Sequence, residues 1–306
     1  MFSHTSIKEY FGFDSQWFQN TNGAKIHYLD EGDKSAIPVL LIHGSAIGIT
    51  AAANFYLTIP CLVNSGYRVI APDMYGYGWT EDAVDVPPSR ENQVQLIWDL
   101  MEHLEIPKIY LIGNSLGGMI AVSATLDRSE KILGQIIIGT GGAFWEHGSR
   151  RAPNPTSRGD NTPYSRELVK KSMEHLVSNP EIIPSELLEF RIKMAEREGA
   201  YQRHILATQH REDSKKRLPF DKTKAKKCEV PTLFMYGKED RVNPNEDALA
   251  GAEAFAHADM MLFGHCGHWT MIERADDFNF LMLNFLKGYD KNIVTPPVRS
   301  LKLKSS

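Results

Sequence analysis

One junction constrains this chain more than any other. The apolar run Ile109 to Ile112 passes directly into Gly113-Asn114-Ser115-Leu116-Gly117-Gly118, and a helix-like stretch from Leu116 to Asp127 follows. A short apolar run of this kind reads as a buried strand. A serine held at a strand-to-helix turn adopts a strained backbone that exposes its hydroxyl at the sheet edge, and flanking glycines keep side chains off the neighbouring strand and helix. The helix amino terminus also aims N–H groups at developing negative charge. Gly-x-Ser-x-Gly recurs by chance; its position between strand and helix makes it informative. Ser115 is therefore the candidate nucleophile.

The rest of the chain repeats this alternation. Gln16 to Gln19 and Lys25 to Asp30 flank Thr21-Asn22-Gly23, a hairpin signal. Val39 to Ile42, Arg68 to Ala71 and Leu133 to Gly139 are further strand candidates. Phe55, Ile59, Leu62 and Val63 form one helical stripe, and Ile97, Leu100, Met101 and Leu104 another. Strands and helices at this spacing imply βαβ units and a mainly parallel sheet, an α/β fold. From about Trp145 to Lys227 the strand pattern stops. A Pro/Gly-rich stretch (Arg151 to Pro163) precedes helical segments from about Pro163 to Ser178, Pro184 to Glu198 and Ala200 to His210. The pattern resumes with Thr232 to Tyr236, a helix near Asn245 to Ala256, Met260 to Phe263, and a helix from Asp276 to Lys287. The expected organisation is a core of residues 1–144 and 228–288, a helical cap at 145–227 inserted after a core strand, and a loose tail at 289–306.

Composition excludes several classes. At 42% hydrophobic and 24% charged, the 306 residues supply a sizeable core and do not match a disordered chain. A net charge of −4 is too small to argue for nucleic-acid or membrane-surface partners, and neither is expected. No run approaches the ~20 apolar residues of a membrane span, and the amino terminus lacks a secretory pattern. Cys61, Cys228 and Cys266 are an odd set without metal-ligand spacing, so reduced thiols in a cytoplasmic protein are expected. From Arg150 to Lys227 the chain carries 18 Lys and Arg against 11 Asp and Glu, so this stretch is +7 while the remainder is −11. A cationic cap favours anionic small-molecule substrates, although a solvated helical surface explains the same count. A homo-oligomer is compatible with the sequence.

A serine hydroxyl needs a base to take its proton, and the base needs an acid to fix its tautomer. The strand Thr232 to Tyr236 runs into Gly237-Lys238-Glu239-Asp240, and Met260 to Phe263 leads into Gly264-His265-Cys266-Gly267-His268-Trp269. Asp240 and His268 thus lie at carboxyl ends of strands, the edge where open α/β sheets bind ligands. Glu239 is the alternative acid and His265 the alternative base. Acyl transfer also needs an oxyanion hole. The loop His43-Gly44-Ser45-Ala46 follows a strand, which makes the N–H groups of Ser45 and Leu116 the expected donors, with Ala46 next. His43 itself reads as structural.

The chain resembles the α/β-hydrolase superfamily and, within it, the meta-cleavage product hydrolases, which cleave a carbon–carbon bond in vinylogous 1,5-diketones. The resemblance rests on Leu41 to Pro60, Tyr67 to Thr80, Gly113 to Gly118 and Phe263 to Phe280, with Cys266-Gly-His-Trp269, Glu273 and Asp277-Phe278-Asn279 as its narrower block. It implies an α/β-hydrolase fold and a Ser115–His268–Asp240 triad without metal or organic cofactor. It also implies substrate contacts from Asn54, Asn114 and Arg191, and a pocket wall at Trp269. Where the family loop reads His-Gly-Ser/Gly-Gly-Pro-Gly, this chain has Ala46-Ile47 in place of Gly-Pro, which adds bulk beside the nucleophile. The expected reaction is hydrolysis of a 2-hydroxy-6-oxo-dienoate or related diketone. A carboxylesterase or lactonase using the same triad is the alternative, and a non-catalytic ligand sensor is a more distant one.

Overall fold

The computed structural model describes residues 2–82, 86–141, 165–217 and 220–289, without the side chains of 211–217 and 289. Eight strands form one sheet: β1 (Ser15–Gln19), β2 (Lys25–Glu31), β3 (Pro38–Ile42), β4 (Arg68–Pro72), β5 (Ile109–Asn114), β6 (Ile132–Ile138), β7 (Thr232–Gly237) and β8 (Ala258–Phe263). Their spatial order is β1-β2-β4-β3-β5-β6-β7-β8. The β1–β2 and β2–β4 pairs are antiparallel, and every other pair is parallel. The hairpin turns at Asn22-Gly23, where Gly23 takes φ 88° and the Asn20 N–H bonds to the Ala24 carbonyl.

Why the central strands read as unbroken apolar runs is plain from their packing. Val39 and Leu41, Tyr110 and Ile112, Ile136 and Ile138, and Leu233 and Met235 enter the core on one face of the sheet. Leu40 and Ile42, Ile109 and Leu111, Ile137, and Phe234 and Tyr236 enter the core on the other. A strand covered on both faces has no solvent side to alternate toward. Each such aliphatic side chain contributes roughly 1.5–3 kcal/mol by leaving water.

Helices cover both faces: α1 (Ser6–Phe11), α2 (Ala51–Phe55), α3 (Thr58–Asn64), α4 (Arg90–His103), α5 (Leu116–Asp127), α6 (Arg166–His175), α7 (Ser185–Ala195), α8 (Ala200–Arg217), α9 (Lys222–Lys226), α10 (Asn245–Ala254), α11 (Thr270–Glu273) and α12 (Ala275–Tyr289). Several begin at a side-chain cap: Thr50, Ser89 and Ser165 accept hydrogen bonds from the N–H groups of Ala53, Asn92 and Leu168. Between β6 and β7 the described residues form helices and no strand. There α7 packs on α2, α6 and α8, while α8 packs on α4.

Three departures from the sequence reading stand out. The amino-terminal extension carries α1, whose Tyr10 and Phe11 rings brace Phe190 of α7 at 5.2 and 4.8 Å between centroids. The helix expected to end near His210 continues to Arg217. The last helix extends through Gly288 to Tyr289, so those two residues are helical; the rest of the expected tail, like the Arg151 to Pro163 stretch, lies outside the described residues. No helix among the described residues is long and apolar enough to cross a membrane.

Candidate active site

Ser115 stands between β5 and α5 with φ 55° and ψ −113°, a conformation that costs an L-residue of this kind on the order of 1–3 kcal/mol. Packing holds it there. The Ser115 N–H donates to the Ile138 carbonyl of β6 at 2.8 Å, and the Ser115 carbonyl accepts from the Gly118 N–H at 3.1 Å. The turn is so tight that a methyl group at Gly117 would sit 2.0 Å from the Ile42 carbonyl oxygen. Leu116 is the first residue of α5, so its N–H lacks an acceptor within the helix. The loop after β3 passes close by: a methyl at Gly44 would lie 3.3 Å from Ser115 Cβ and 3.0 Å from Asn114 Oδ1. Ser45 and Ala46 therefore follow a residue that lies close against Ser115.

His268 Nδ1 lies 2.8 Å from Asp240 Oδ2, and both side chains are nearly fully buried. The other carboxylate oxygen accepts from the N–H groups of Val242 at 2.7 Å and Asn243 at 2.9 Å. Asp240 is thus held on both sides, and His268 receives a fixed orientation from it. Gly139, just past β6, lies against the imidazole: a methyl there would be 2.9 Å from His268 Nδ1. The alternatives take other places. Glu239 accepts from the Cys266 N–H at 2.8 Å, and that bond holds its carboxyl below the usual range. His265 is exposed on the loop at φ 53°.

His43 is fully buried and neutral by its bonding. Its Nε2 accepts from the Met74 N–H at 3.0 Å, which leaves Nδ1 to donate to the Gly44 carbonyl at 2.7 Å. Burial pushes its pKa down. It shapes the loop beside Ser115 and has no free nitrogen for proton transfer.

Arg191, on α7, is wholly buried. Nη2 donates to the Ile47 carbonyl at 2.9 Å, and the guanidinium lies 5.7 Å from the Trp269 ring centroid. Nε and Nη1 have no hydrogen-bond partner, and no carboxylate among the described residues lies within ion-pair distance of the group. Burial pushes its pKa down to about 9, so it stays cationic at neutral pH. Asn54, on α2, is also fully buried with both amide atoms unpartnered, and Asn114 Oδ1 is unpartnered as well. Buried polar groups are nearly always satisfied, because each orphan costs about 1–3 kcal/mol. These three side chains stand on α2, β5 and α7, among several in the protein that carry orphan atoms. Trp269 is 2% exposed and belongs to the apolar core as well as facing Arg191.

Ala46 and Ile47, where the family loop reads Gly-Pro, are both buried. Ile47 is buried in the core, its carbonyl receives Arg191, and the next residue, Gly48, takes φ 71° against α7.

Residues 37–275 match the model of the alpha/beta hydrolase fold family. The chain belongs to the α/β-hydrolase family. This α/β-hydrolase is 30% identical over 283 residues to a 2-hydroxymuconate semialdehyde hydrolase of Pseudomonas sp. strain CF600, with 88% of this chain and 92% of that protein covered. It is 32% identical over 273 residues to a 2-hydroxy-6-oxononadienedioate/2-hydroxy-6-oxononatrienedioate hydrolase of Escherichia coli, covering 86% of this chain and 91% of the relative. Among solved structures, a meta-cleavage product hydrolase from Pseudomonas fluorescens IP01 superposes with a TM-score of 0.79 at 30% identity, over 89% of this chain and 97% of that one.

Some residues that shape the site carried no role in the sequence reading. Asp73, after β4, accepts from the Ala51 and Trp79 N–H groups and pairs with His27 at 2.9 Å, which anchors the start of α2. Its signal was an acid one residue past a strand end, ahead of Gly76 and Gly78. His175 closes α6 with Nε2 buried and unpartnered; burial, then Arg241 and His268, push its pKa down. Nothing local in the sequence points to it.

Proposed function

We propose that this α/β-hydrolase is a serine-dependent carbon–carbon bond hydrolase acting on a 2-hydroxy-6-oxo-dienoate or closely related anionic diketone, with Ser115 as nucleophile, His268 as base and Asp240 as its orienting acid. The observation that carries the reading is the buried, uncompensated guanidinium of Arg191 with two orphan N–H positions; the orphan amide of Asn54 and the orphan Oδ1 of Asn114 support it. A carboxylate and an enol oxygen would satisfy the Arg191 and Asn54 donors, and an enol hydroxyl could donate to an amide oxygen; a simple ester offers neither charge nor enough acceptors. The names of the relatives point the same way.

On this reading residues 145–227 act as a cap, and its α7 supplies the anion-binding arginine. The dienol ketonises among the polar groups. His268 then takes the Ser115 proton as the hydroxyl adds to the distal ketone. The N–H groups of Leu116 and Ser45 stabilise the oxyanion, a kind of contact whose loss costs about 3 kcal/mol. Cleavage releases the dienolate fragment, which takes up a proton, and leaves an acyl group on Ser115. Water activated by His268 hydrolyses that ester.

The test compares wild type with Ser115→Ala on 2-hydroxymuconate semialdehyde, followed by loss of its visible absorbance, and on p-nitrophenyl butyrate. Faster turnover of the dienoate, abolished in the variant, supports the proposal. Turnover of the ester alone returns the assignment to a carboxylesterase. Binding of the dienoate without any turnover would indicate a sensor.

A further inference from the structure

Glu273, in the short helix α11, holds two pieces of chain together. Oε1 accepts from the Gly267 N–H at 2.6 Å, on the loop that carries His268. Oε2 accepts from the Ser178 N–H at 2.7 Å and the Ser178 hydroxyl at 2.5 Å, on the segment that follows α6. A fourth bond closes the junction directly: the His268 N–H donates to the Leu176 carbonyl at 2.8 Å. The two segments touch so closely that a methyl at Gly267 would lie 2.9 Å from the Leu176 carbonyl oxygen, the Ser178 nitrogen and Glu273 Oε1 alike.

The chemistry of the junction is one-sided. Three donors converge on one carboxylate, which is half-buried; an ionised carboxylate accepts only, and charge-assisted bonds of this kind are about twice as strong as neutral ones. A neutral amide at the same position would turn an NH2 group toward donors on one side. The backbone that sets His268 is therefore held from the α6 segment through Glu273, as well as from Asp240 through the ring.

We propose that Glu273 is a positioning residue that latches the helical segment following β6 to the histidine loop, so that His268 is in register with Ser115 only when Leu176 to Ser178 are docked. The inference rests on His268 being the base, as set out under the proposed function. Misplacing a catalytic group by about 1 Å costs on the order of 100-fold in rate. Loss of the latch is expected to lower kcat while leaving the Arg191 clamp and KM largely alone.

The experiment uses Glu273→Gln, Ser178→Ala, the double variant and His268→Ala. It reads kcat and KM on p-nitrophenyl butyrate and 2-hydroxymuconate semialdehyde, and the rate of Ser115 modification by a fluorophosphonate. Glu273→Gln should lower kcat and the modification rate by roughly 10- to 100-fold, with KM within about threefold. Ser178→Ala should lose about threefold or more, and the double variant should be no worse than Glu273→Gln, since both break one junction. Wild-type kcat and modification rate in Glu273→Gln, whatever its melting temperature, would overturn the latch; so would losses that simply multiply in the double variant. Should Glu273→Gln fail to fold, Ser178→Ala decides alone, and wild-type kcat in it overturns the proposal. Turnover retained in His268→Ala removes the base assignment and the latch with it, whereas an inactive His268→Ala beside a normal Glu273→Gln removes the latch only.

Discussion

Replacing Arg191 by methionine separates a residue kept for binding from one kept for stability. In the free protein the guanidinium makes one charge-assisted hydrogen bond, to the Ile47 carbonyl, and one ring contact, with Trp269. Their loss costs about 1.5–3 and 0.5–2 kcal/mol respectively. Against this, the variant relieves a desolvated, unpaired charge, a penalty of several kcal/mol. It also removes the orphan Nε and Nη1 donors, worth about 1–3 kcal/mol each. Methionine refills the same unbranched space. The gains at least match the losses, so the variant should be as stable as wild type or more so, where breaking a fully paired buried ion would cost ~3–5 kcal/mol. Toward the anionic dienoate the variant loses at least two charge-assisted hydrogen bonds, roughly 3–6 kcal/mol, so kcat/KM should fall by about 10²- to 10⁴-fold. Turnover of p-nitrophenyl butyrate should stay within a fewfold. Urea unfolding and thermal melting measure the first effect, with about 2–4 °C expected per kcal/mol, and initial rates on the two substrates measure the second. A variant destabilised by 3 kcal/mol or more, with unchanged dienoate turnover, would refute the reasoning.

Other outcomes follow from the same geometry. Asp240→Asn keeps the shape but spoils the bond that orients His268 Nδ1, so kcat should drop by about 10⁴-fold with KM little changed in steady-state assays. Burial pushes the Arg191 pKa down to about 9 in the free enzyme; kcat/KM for the dienoate should therefore fall as pH rises through about 9, while the neutral ester shows no such limb. Gly48→Ala would force a side chain onto φ 71° and place its methyl 2.2 Å from the Arg191 carbonyl oxygen; it should undock α7, seen as raised KM and faster proteolysis between β6 and β7. Burial works to raise the Asp73 pKa, but His27 and the Ala51 N–H, both bonded to the carboxylate, help to outweigh it and hold the carboxyl below its usual range. Asp73 thus adds stability above its unfolded pKa of about 3.9 that is lost as pH falls through the lower folded value, and acid unfolding of Asp73→Asn, already destabilised by ~3–5 kcal/mol at pH 7, should lose that pH dependence.

Local pattern determined much of this protein. Doubly covered strands must be continuously apolar, so β3 to β7 were legible as runs, and the helix from Leu116 to Asp127 has the bounds the sequence suggested. The turns at strand ends that carry Ser115, Asp240 and His268 were legible for the same reason: each follows an apolar run directly. Tertiary structure alone decided the rest. Glu239 and Asp240 are adjacent in sequence and chemically alike; only the path of the loop across Gly237 sends one to Cys266 and the other to His268. α1 is six residues long, too short to show a helical period, and gains its order from Phe190 rather than from its own propensity. Glu273 and Ser178 stand 95 positions apart, and no local pattern couples them. The orphan state of Asn54 and Arg191 is likewise invisible in sequence, because an unsatisfied donor is a property of everything around it.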